Sequence, residues 1–327
     1  MIGGFRVSQM IRTAALLKIC DRLASGPRDS ADLAAEVHAD PGLLHRLMRV
    51  LVGVGVLEEG ADGRFSNTEM GELLRTDVPS SAAGMAAGLL QDHSWKAWAQ
   101  LPRGVVEGSI PHLLGNGASF WEVLARDPET SARFNAQMVS QTTVFVPQLL
   151  EAFDFSRCRS VIDVGGGNGA LIAAILSAHP DLRGVLFDLD TGLAGAGELV
   201  RRRGVADRCT TVAGDFFESV PAGADAYLLR FVLHDWDDEH AARILRTVRP
   251  AMTPGSQLIV IDHLLPARAD TSPDSRASLI IDMHMYVLFG ARERTEREMR
   301  KMLEAAGFEV ERIAMTVPAR TIVARAV

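Results

Sequence analysis

Two groups of residues in this chain have the types and spacing to do chemistry. The first is the run Asp163-Val164-Gly165-Gly166-Gly167-Asn168-Gly169. Glycines without a Cβ let a backbone turn approach a ligand closely and take up positive φ. A dinucleotide turn reads G-x-G-x-x-G and seats its pyrophosphate on a helix N-terminus. Here Gly165, Gly167 and Gly169 are spaced G-x-G-x-G, and an acid, Asp163, stands just ahead of them. That acid disfavours a pyrophosphate and suits a ligand that is cationic near this point. The second group is Leu233-His234-Asp235-Trp236-Asp237-Asp238, in which His234 is the best general base in the chain. His263, beside Asp262, is the rival base.

These groups need elements to position them. Val161–Val164 reads as a buried strand, Ala170–Ala178 as a helix and Gly184–Asp188 as a second strand. A strand, glycine turn, helix and strand in that order form a unit that binds ligands at the carboxyl ends of its strands. Asp188 stands at such an end, where a carboxylate can accept hydrogen bonds from two ribose hydroxyls. Farther on, Gly192–Arg203 reads as a helix and Cys209–Ala213 as a strand leading to Gly214, Asp215 and Phe216. Asp215 offers an acceptor to an adenine amino group, and Phe216 a ring to stack on it. Ala226–Val232 reads as a strand with Arg230 near its end, Asp238–Val248 as a helix and Ser256–Asp262 as a strand. Asp235 and Asp237 are possible caps for the helix at 238, and Asp238 is the expected one. Helices at Ser278–Leu288 and Thr295–Ala306, the second with Thr295 and Glu298 as a capping box, precede a hairpin of Phe308–Met315 and Arg320–Ala326. The alternation implies an α/β fold with a parallel sheet covered on both faces. A ribose without phosphate, an adenine and a nearby cationic group together describe S-adenosylmethionine.

Upstream, Phe5–Ala24 reads as one amphipathic helix, Ala31–His38 as a second, capped by Asp29 or Ser30, and Gly42–Val52 as a third, after Asp40-Pro41. Val54–Glu59 and Arg64–Ser66 complete a winged helix. Such a domain can read DNA, but residues 1–100 hold 10 Lys+Arg against 12 Asp+Glu, and phosphate contact needs basic charge. The expected role is a partner surface, with the first helix and Met85–Leu90 meeting a second copy. Between the two regions, helices are expected at Phe120–Ala125 and Pro128–Ala152. Phe134, Met138 and Gln141 share one face of the second. That face serves either core packing or a flat apolar substrate.

The 327 residues suffice for two domains, with 47% apolar residues to build cores. A net charge of −7 argues against nucleic acid or a membrane surface as partner. Cys20, Cys158 and Cys209 are far apart in sequence and form no metal-like or redox pair, which suggests buried, reduced thiols in a cytoplasm. No apolar run is long enough to span a membrane, no signal segment precedes the first helix, and no metal-ligand cluster is visible.

The chain resembles the plant caffeic-acid-type and bacterial antibiotic-type O-methyltransferases, on Asp163–Gly169 (DVGGGNG), Phe187–Asp190 (FDLD), Gly214–Phe217 (GDFF), Leu233–Trp236 (LHDW) and Arg292–Thr295 (RERT) in that order. The resemblance covers nearly the whole chain. It implies a class I, Rossmann-like methyltransferase sheet with a C-terminal antiparallel hairpin, spanning residues 101–327. It also implies a mainly helical winged-helix dimerisation domain at 1–100, with residues 101–150 as a helical, substrate-lining connection. It implies that Asp163, Gly165, Gly167, Gly169, Asp188, Leu189, Gly214, Asp215, Phe216 and Arg230 hold S-adenosylmethionine. His234 is then the base, with Asp262 and Glu293 orienting it. Trp121, Phe134, Asn135, Met138, Gln141, Asp235 and Met283 are the implied substrate contacts. Asp190, Arg230, Gln141 and Asp262 depart from the plant pattern. The bacterial-type features imply an aromatic, polyketide-like acceptor and a homodimer without nucleic acid or membrane.

The reaction expected is methyl transfer to a phenolic hydroxyl. Ordinary pKa values of about 6.5 for histidine and about 10 for a phenol put full proton transfer about 5 kcal/mol uphill, so His234 needs acidic neighbours. Competing readings are hydroxylation or decarboxylation on the same scaffold, a ligand-sensing DNA-binding regulator, and an NAD dehydrogenase, the last disfavoured by the glycine spacing.

Overall fold

The computed structural model describes residues 2–78, 81–316 and 319–327. They form two compact units, Met1–Trp95 with Arg126–Val144, and Lys96–Ala125 with Phe145–Val327. The long helix Pro128–Ala152 contributes to both.

In the first unit the helix expected over Phe5–Ala24 is two helices, Gly4–Leu16 and Ile19–Arg22. Lys18 breaks them, with left-handed backbone at φ 50. The break turns Ile19, Cys20 and Leu23 into a core they share with Leu33, Met48, Leu51 and Phe65, so burial outweighs the cost of a non-glycine residue at positive φ. Helices Ser30–Glu36 and Pro41–Gly53 start where their capping acids accept backbone N–H groups, Asp29 from Ala31 and Asp40 from Leu43. Strands β1 (Leu57–Glu59) and β2 (Phe65–Asn67) pair antiparallel as the wing. Helix Ala83–Gly88 packs by its glycines. A Cβ on Gly84 would lie 2.3 Å from the Ala136 carbonyl oxygen, and one on Gly88 2.8 Å from the Gln137 Cβ. This close approach leaves Met85 and Leu89 exposed.

The second unit is built on one sheet. Strands β3 (Ser160–Val164), β4 (Arg183–Asp188), β5 (Cys209–Ala213), β6 (Ala226–Arg230) and β7 (Gln257–Asp262) are parallel. Short strands β8 (Leu264–Leu265) and β9 (Arg294–Thr295) pair with each other. Strands β10 (Phe308–Thr316) and β11 (Ala319–Ala326) form the closing hairpin, and β11 adds antiparallel to β7. The sheet order is β10-β11-β7-β6-β3-β4-β5, the class I methyltransferase sheet with an antiparallel C-terminal hairpin. Both faces are buried: Val161 and Leu186 pack with Leu171, Ile172 and Ile175, while Ile162 and Leu229 pack with Ile244, Leu245 and Leu303. This is why the strands read as unbroken apolar runs.

Three expectations here need correction. The helix after β4 begins at Ala196, not Gly192, because Gly195 takes φ 80 and the chain first turns tightly round Asp188. The helix expected from Ser278 begins at Pro273 behind a Ser272 cap. Cys20 is buried, but Cys158 and Cys209 are half-buried. Among the described residues no helix is long and apolar enough to cross a membrane.

Candidate active site

The glycine turn after β3 takes positive φ at Gly165, Gly167 and Gly169 (70°, 57° and 80°). Side chains would be strained at all three, and blocked as well at Gly165 and Gly169. A Cβ on Gly165 would meet the Val232 side chain at 2.8 Å and the Phe216 ring at 3.5 Å. The turn is tied to β4 by its own ligand-type acid, since the Gly167 N–H donates to Asp188 Oδ2 (2.8 Å) and the Leu189 N–H to Asp188 Oδ1 (2.7 Å). Each carboxylate oxygen keeps a second lone pair for a ligand hydroxyl. Burial raises the Asp188 pKa against these two donors.

Asp163 is buried below the turn and its Oδ2 has no hydrogen-bond partner among the described residues. Burial pushes its carboxyl up to about 7, opposed by the Arg230 guanidinium. Arg230 likewise has unpartnered Nε and Nη2 atoms and lies over the rings of Phe231 (4.5 Å) and Phe145 (5.5 Å). Buried polar atoms are normally paired, so an acid and a cation left unsatisfied beside a glycine turn fit a zwitterionic, amino-acid-like group. Phe216 stands at the turn, edge-on to Phe217. Gly214 closes against the Phe187 ring, which a Cβ would meet at 2.6 Å. Asp215 caps its own turn through the Phe217 N–H. Leu189 is exposed. These residues fit S-adenosylmethionine: acceptors for a ribose and an amino group, a ring for a base, and opposed charges.

One consequence can be checked. A Cβ on Gly166 would lie 2.5 Å from Leu186 and 2.6 Å from the Asp163 carboxyl. Gly166→Ala should therefore cost about 1–3 kcal/mol of stability through overpacking, seen as a lower melting temperature, with weakened S-adenosylmethionine binding as Asp163 is displaced. An unchanged melting temperature and affinity would contradict this packing.

The second group is built at the end of β6. Phe231 has φ 55, rare for a bulky residue. The rings of His234 (5.1 Å, 19°) and His263 (5.1 Å, 9°) both lie close to its ring and nearly parallel to it, and they are 6.2 Å from each other. The single turn Leu233–Asp235 carries His234, whose Nδ1–H donates to Glu293 Oε1 at 2.8 Å. Nε2 is 3.6 Å from Asp235 Oδ1, too long for a hydrogen bond. Burial works against the His234 charge, but Glu293, Asp235 and Asp262 outweigh it and push the pKa up to about 10.

Asp262 is fully buried, yet neither of its carboxylate oxygens makes a hydrogen bond among the described residues. It acts on His234 through charge alone, and burial pushes its own pKa up to about 8. Asp235 rises to about 7 by burial, opposed by His234. Glu293 is the orienting acid; its backbone N–H is held by Asp282 Oδ1 (2.9 Å). The cap of helix Asp238–Ala251 is Asp237, through the His240 N–H, and not Asp238 as expected. Asp238 is freed to pair with Arg294.

Of the expected substrate contacts, Trp121 meets Phe120 edge-on (5.1 Å) and tilts on Phe289 (5.5 Å), and Met283 is half-buried in the helix that also carries Asp282. Phe134, Asn135, Met138 and Gln141 are half-buried in the first unit. Two residues escaped the sequence reading. His284, stacked on Trp98 (6.1 Å, 25°), is held neutral by burial and by the nearby His234, its pKa lowered to about 4. Arg294 is 1% exposed. Residue type and spacing give neither a role, although Arg294 lies within the Arg292–Thr295 run.

Comparison with known proteins matches residues 98–309 to an O-methyltransferase domain and residues 1–77 to an O-methyltransferase dimerisation domain. Mitomycin biosynthesis 6-O-methyltransferase of Streptomyces lavendulae is 40% identical over 95% of this chain and 88% of its own. The solved structure of LaPhzM shares 36% identity, covers 100% of this chain and 97% of that one, and superposes with a TM-score of 0.93. An O-methyltransferase from neocarzinostatin biosynthesis, solved in complex with S-adenosylmethionine and 2-hydroxy-5-methyl naphthoic acid, shares 31% identity with a TM-score of 0.80, covering 98% and 96% of the two chains.

Proposed function

The chain belongs to the O-methyltransferase family and is an S-adenosylmethionine-dependent O-methyltransferase, and on that premise we propose that its acceptor is a phenolic hydroxyl of an aromatic, polyketide-like secondary metabolite, with His234 as the base. The observation that carries this reading is the His234–Glu293 pair, which occupies Nδ1 and leaves Nε2 beyond hydrogen-bond distance of Asp235, at the strand end that also packs on the glycine turn through Val232. The aromatic acceptor class is supported by the naphthoate bound in the neocarzinostatin relative.

Asp163, Gly165, Gly167, Gly169, Asp188, Leu189, Gly214, Asp215, Phe216 and Arg230 hold the cofactor in this reading. When bound, S-adenosylmethionine supplies a sulfonium methyl, which the acceptor oxygen takes in line as the carbon–sulfur bond breaks. The chain's own part is to hold the acceptor and move its proton. His234 Nε2 takes the hydroxyl proton, and Glu293 on Nδ1 stabilises the imidazolium that results. With His234 near 10 and a phenol at about 10, the transfer from phenol to free imidazole is close to thermoneutral, and at neutral pH the cost lies instead in freeing the imidazole of its own proton. Asp262 adds charge behind the pair. Trp121, Phe134, Asn135, Met138, Gln141, Asp235 and Met283 are the substrate contacts that the resemblance implies.

Residues 1–100 serve as the dimerisation domain, and 101–327 as the methyltransferase domain. The exposed apolar side chains Phe5, Leu16, Met85, Leu89 and Trp95 are the surface proposed to meet a second copy. Light scattering should give a dimer, and Phe5→Asp combined with Met85→Asp should give a monomer. A wild-type monomer at micromolar concentration would contradict it.

The function is tested by incubating the protein with S-adenosylmethionine and a panel of phenolic polyketides, read by mass spectrometry. The expected product gains one CH₂ on oxygen. A product that gains oxygen instead, or loses carbon dioxide, would replace this reading with hydroxylation or decarboxylation.

A further inference from the structure

We infer that Arg294 is a positioning residue of this enzyme, one that holds the backbone of the His234 turn in register with Glu293. Its guanidinium is 1% exposed and spends its donors on that one turn. Nη1 donates to the Leu233 carbonyl (2.8 Å), Nη2 to the Trp236 carbonyl (2.9 Å) and Nε to Asp238 Oδ1 (2.9 Å). Leu233 and Trp236 are the residues that flank His234 and Asp235, so the two carbonyls bracket the catalytic segment.

The neighbouring residue completes the grip. Glu293 takes the imidazole while Arg294 takes the main chain, so adjacent side chains hold the same histidine by its ring and by its backbone. The stretch that carries them is itself anchored at several points. The Glu293 N–H donates to Asp282, Arg294 and Thr295 pair with Leu264 and Leu265, and Arg292 and Thr295 both bond Glu298. A planar fork can satisfy three acceptors set at fixed angles, whereas a lysine ammonium on a flexible stem is a point donor. The carbonyls face a buried cation and have lost water, so withdrawing it leaves buried acceptors unpaired. The turn would then relax and lengthen the His234–Glu293 bond. That bond is what keeps the His234 pKa high.

This inference rests on His234 being the base, and the test separates the two. Arg294→Lys, Glu293→Gln, the double variant and His234→Ala are assayed in the full-length protein for kcat, KM, the pH profile of kcat/KM, S-adenosylmethionine affinity and melting temperature. Arg294→Lys should lower kcat about 10–100-fold, the scale of a small misplacement of a reacting group. Cofactor affinity should stay within about twofold of wild type. The limb of the pH profile assigned to His234 should shift to lower pH, in the same direction as expected for Glu293→Gln. In the double variant the two losses should fall well short of multiplying. Asp238→Asn, at an exposed partner of Arg294, is the milder variant and should lower kcat by about two- to fivefold with the fold intact. A lower melting temperature with kcat and pH profile unchanged, or losses that multiply fully, would reduce Arg294 to a structural residue. Wild-type activity in His234→Ala would instead overturn the reading on which the inference stands.

Discussion

His234→Ala lowers kcat by about 10²–10⁴-fold, the usual worth of a positioned general base, and leaves S-adenosylmethionine affinity within about twofold of wild type. The separation follows from the geometry. His234 engages Glu293 through Nδ1, while the proposed cofactor residues belong to the glycine turn, β4 and the loop after β5. The pH profile carries the same information with a definite sign. The His234 pKa lies above its ordinary value, at about 10, so at neutral pH the imidazolium dominates and the free base is scarce. Raising the pH through 7, 8 and 9 increases the free base about tenfold per unit, and kcat/KM should climb with it towards a limb near 10. An acceptor that arrives as phenolate and meets the imidazolium gives the same slope, because the two complexes carry the same number of protons. Asp235 and Asp262 lose their protons near 7 and 8 and reinforce the imidazolium as they do. A profile flat from 6 to 9, or unimpaired turnover in His234→Ala, would mean that alignment alone carries the chemistry. Alignment is capable of that, since positioning contributes about 7–11 kcal/mol in well-oriented reactions.

Asp188→Ala does the opposite: it removes binding before it touches chemistry. Two ribose hydroxyls donating to a partly buried carboxylate contribute about 1.5–3 kcal/mol each, so the dissociation constant should rise by at least about 10²-fold. The substitution also strips the Gly167 and Leu189 N–H groups of their acceptor and loosens the turn itself. Asp188→Asn, which keeps one acceptor oxygen and adds an unwanted donor, should fall between. Calorimetry with S-adenosylmethionine or S-adenosylhomocysteine checks this directly, and a near-wild-type constant in Asp188→Ala would remove the ribose assignment.

The sequence was most legible where local signals bounded an element on both sides. Pro128–Ala152, Ala170–Ala178 and Cys209–Ala213 begin and end where their prolines, glycines and breaks in pattern place them. The capping box at Thr295 and Glu298 forms as written. It failed where tertiary burial overrode local preference. Nothing near Lys18 announces a left-handed residue; the break exists because Ile19, Cys20 and Leu23 gain a core by it. The cap at Asp237 could not be separated from one at Asp238 until Arg294 was seen to claim the latter. At the site, His234 and the glycine turn were visible because residue type and spacing carry their chemistry. Arg294 was not, because two of its three acceptors are main-chain carbonyls, which any sequence supplies equally. His284 stayed hidden for a related reason. Its neutral state comes from burial and from His234, neither of which is near it in the chain.

In the proposed enzyme, one pocket at the strand ends of the second unit holds the methyl donor on the glycine turn and turns it towards His234. A crystal structure of the protein with S-adenosylhomocysteine and a phenolic acceptor tests it most directly. The ribose should lie on Asp188, the adenine against Phe216, and the acceptor oxygen within hydrogen-bond reach of His234 Nε2. A nucleoside bound away from Gly165–Gly169, or an acceptor oxygen that faces some other residue, would contradict it.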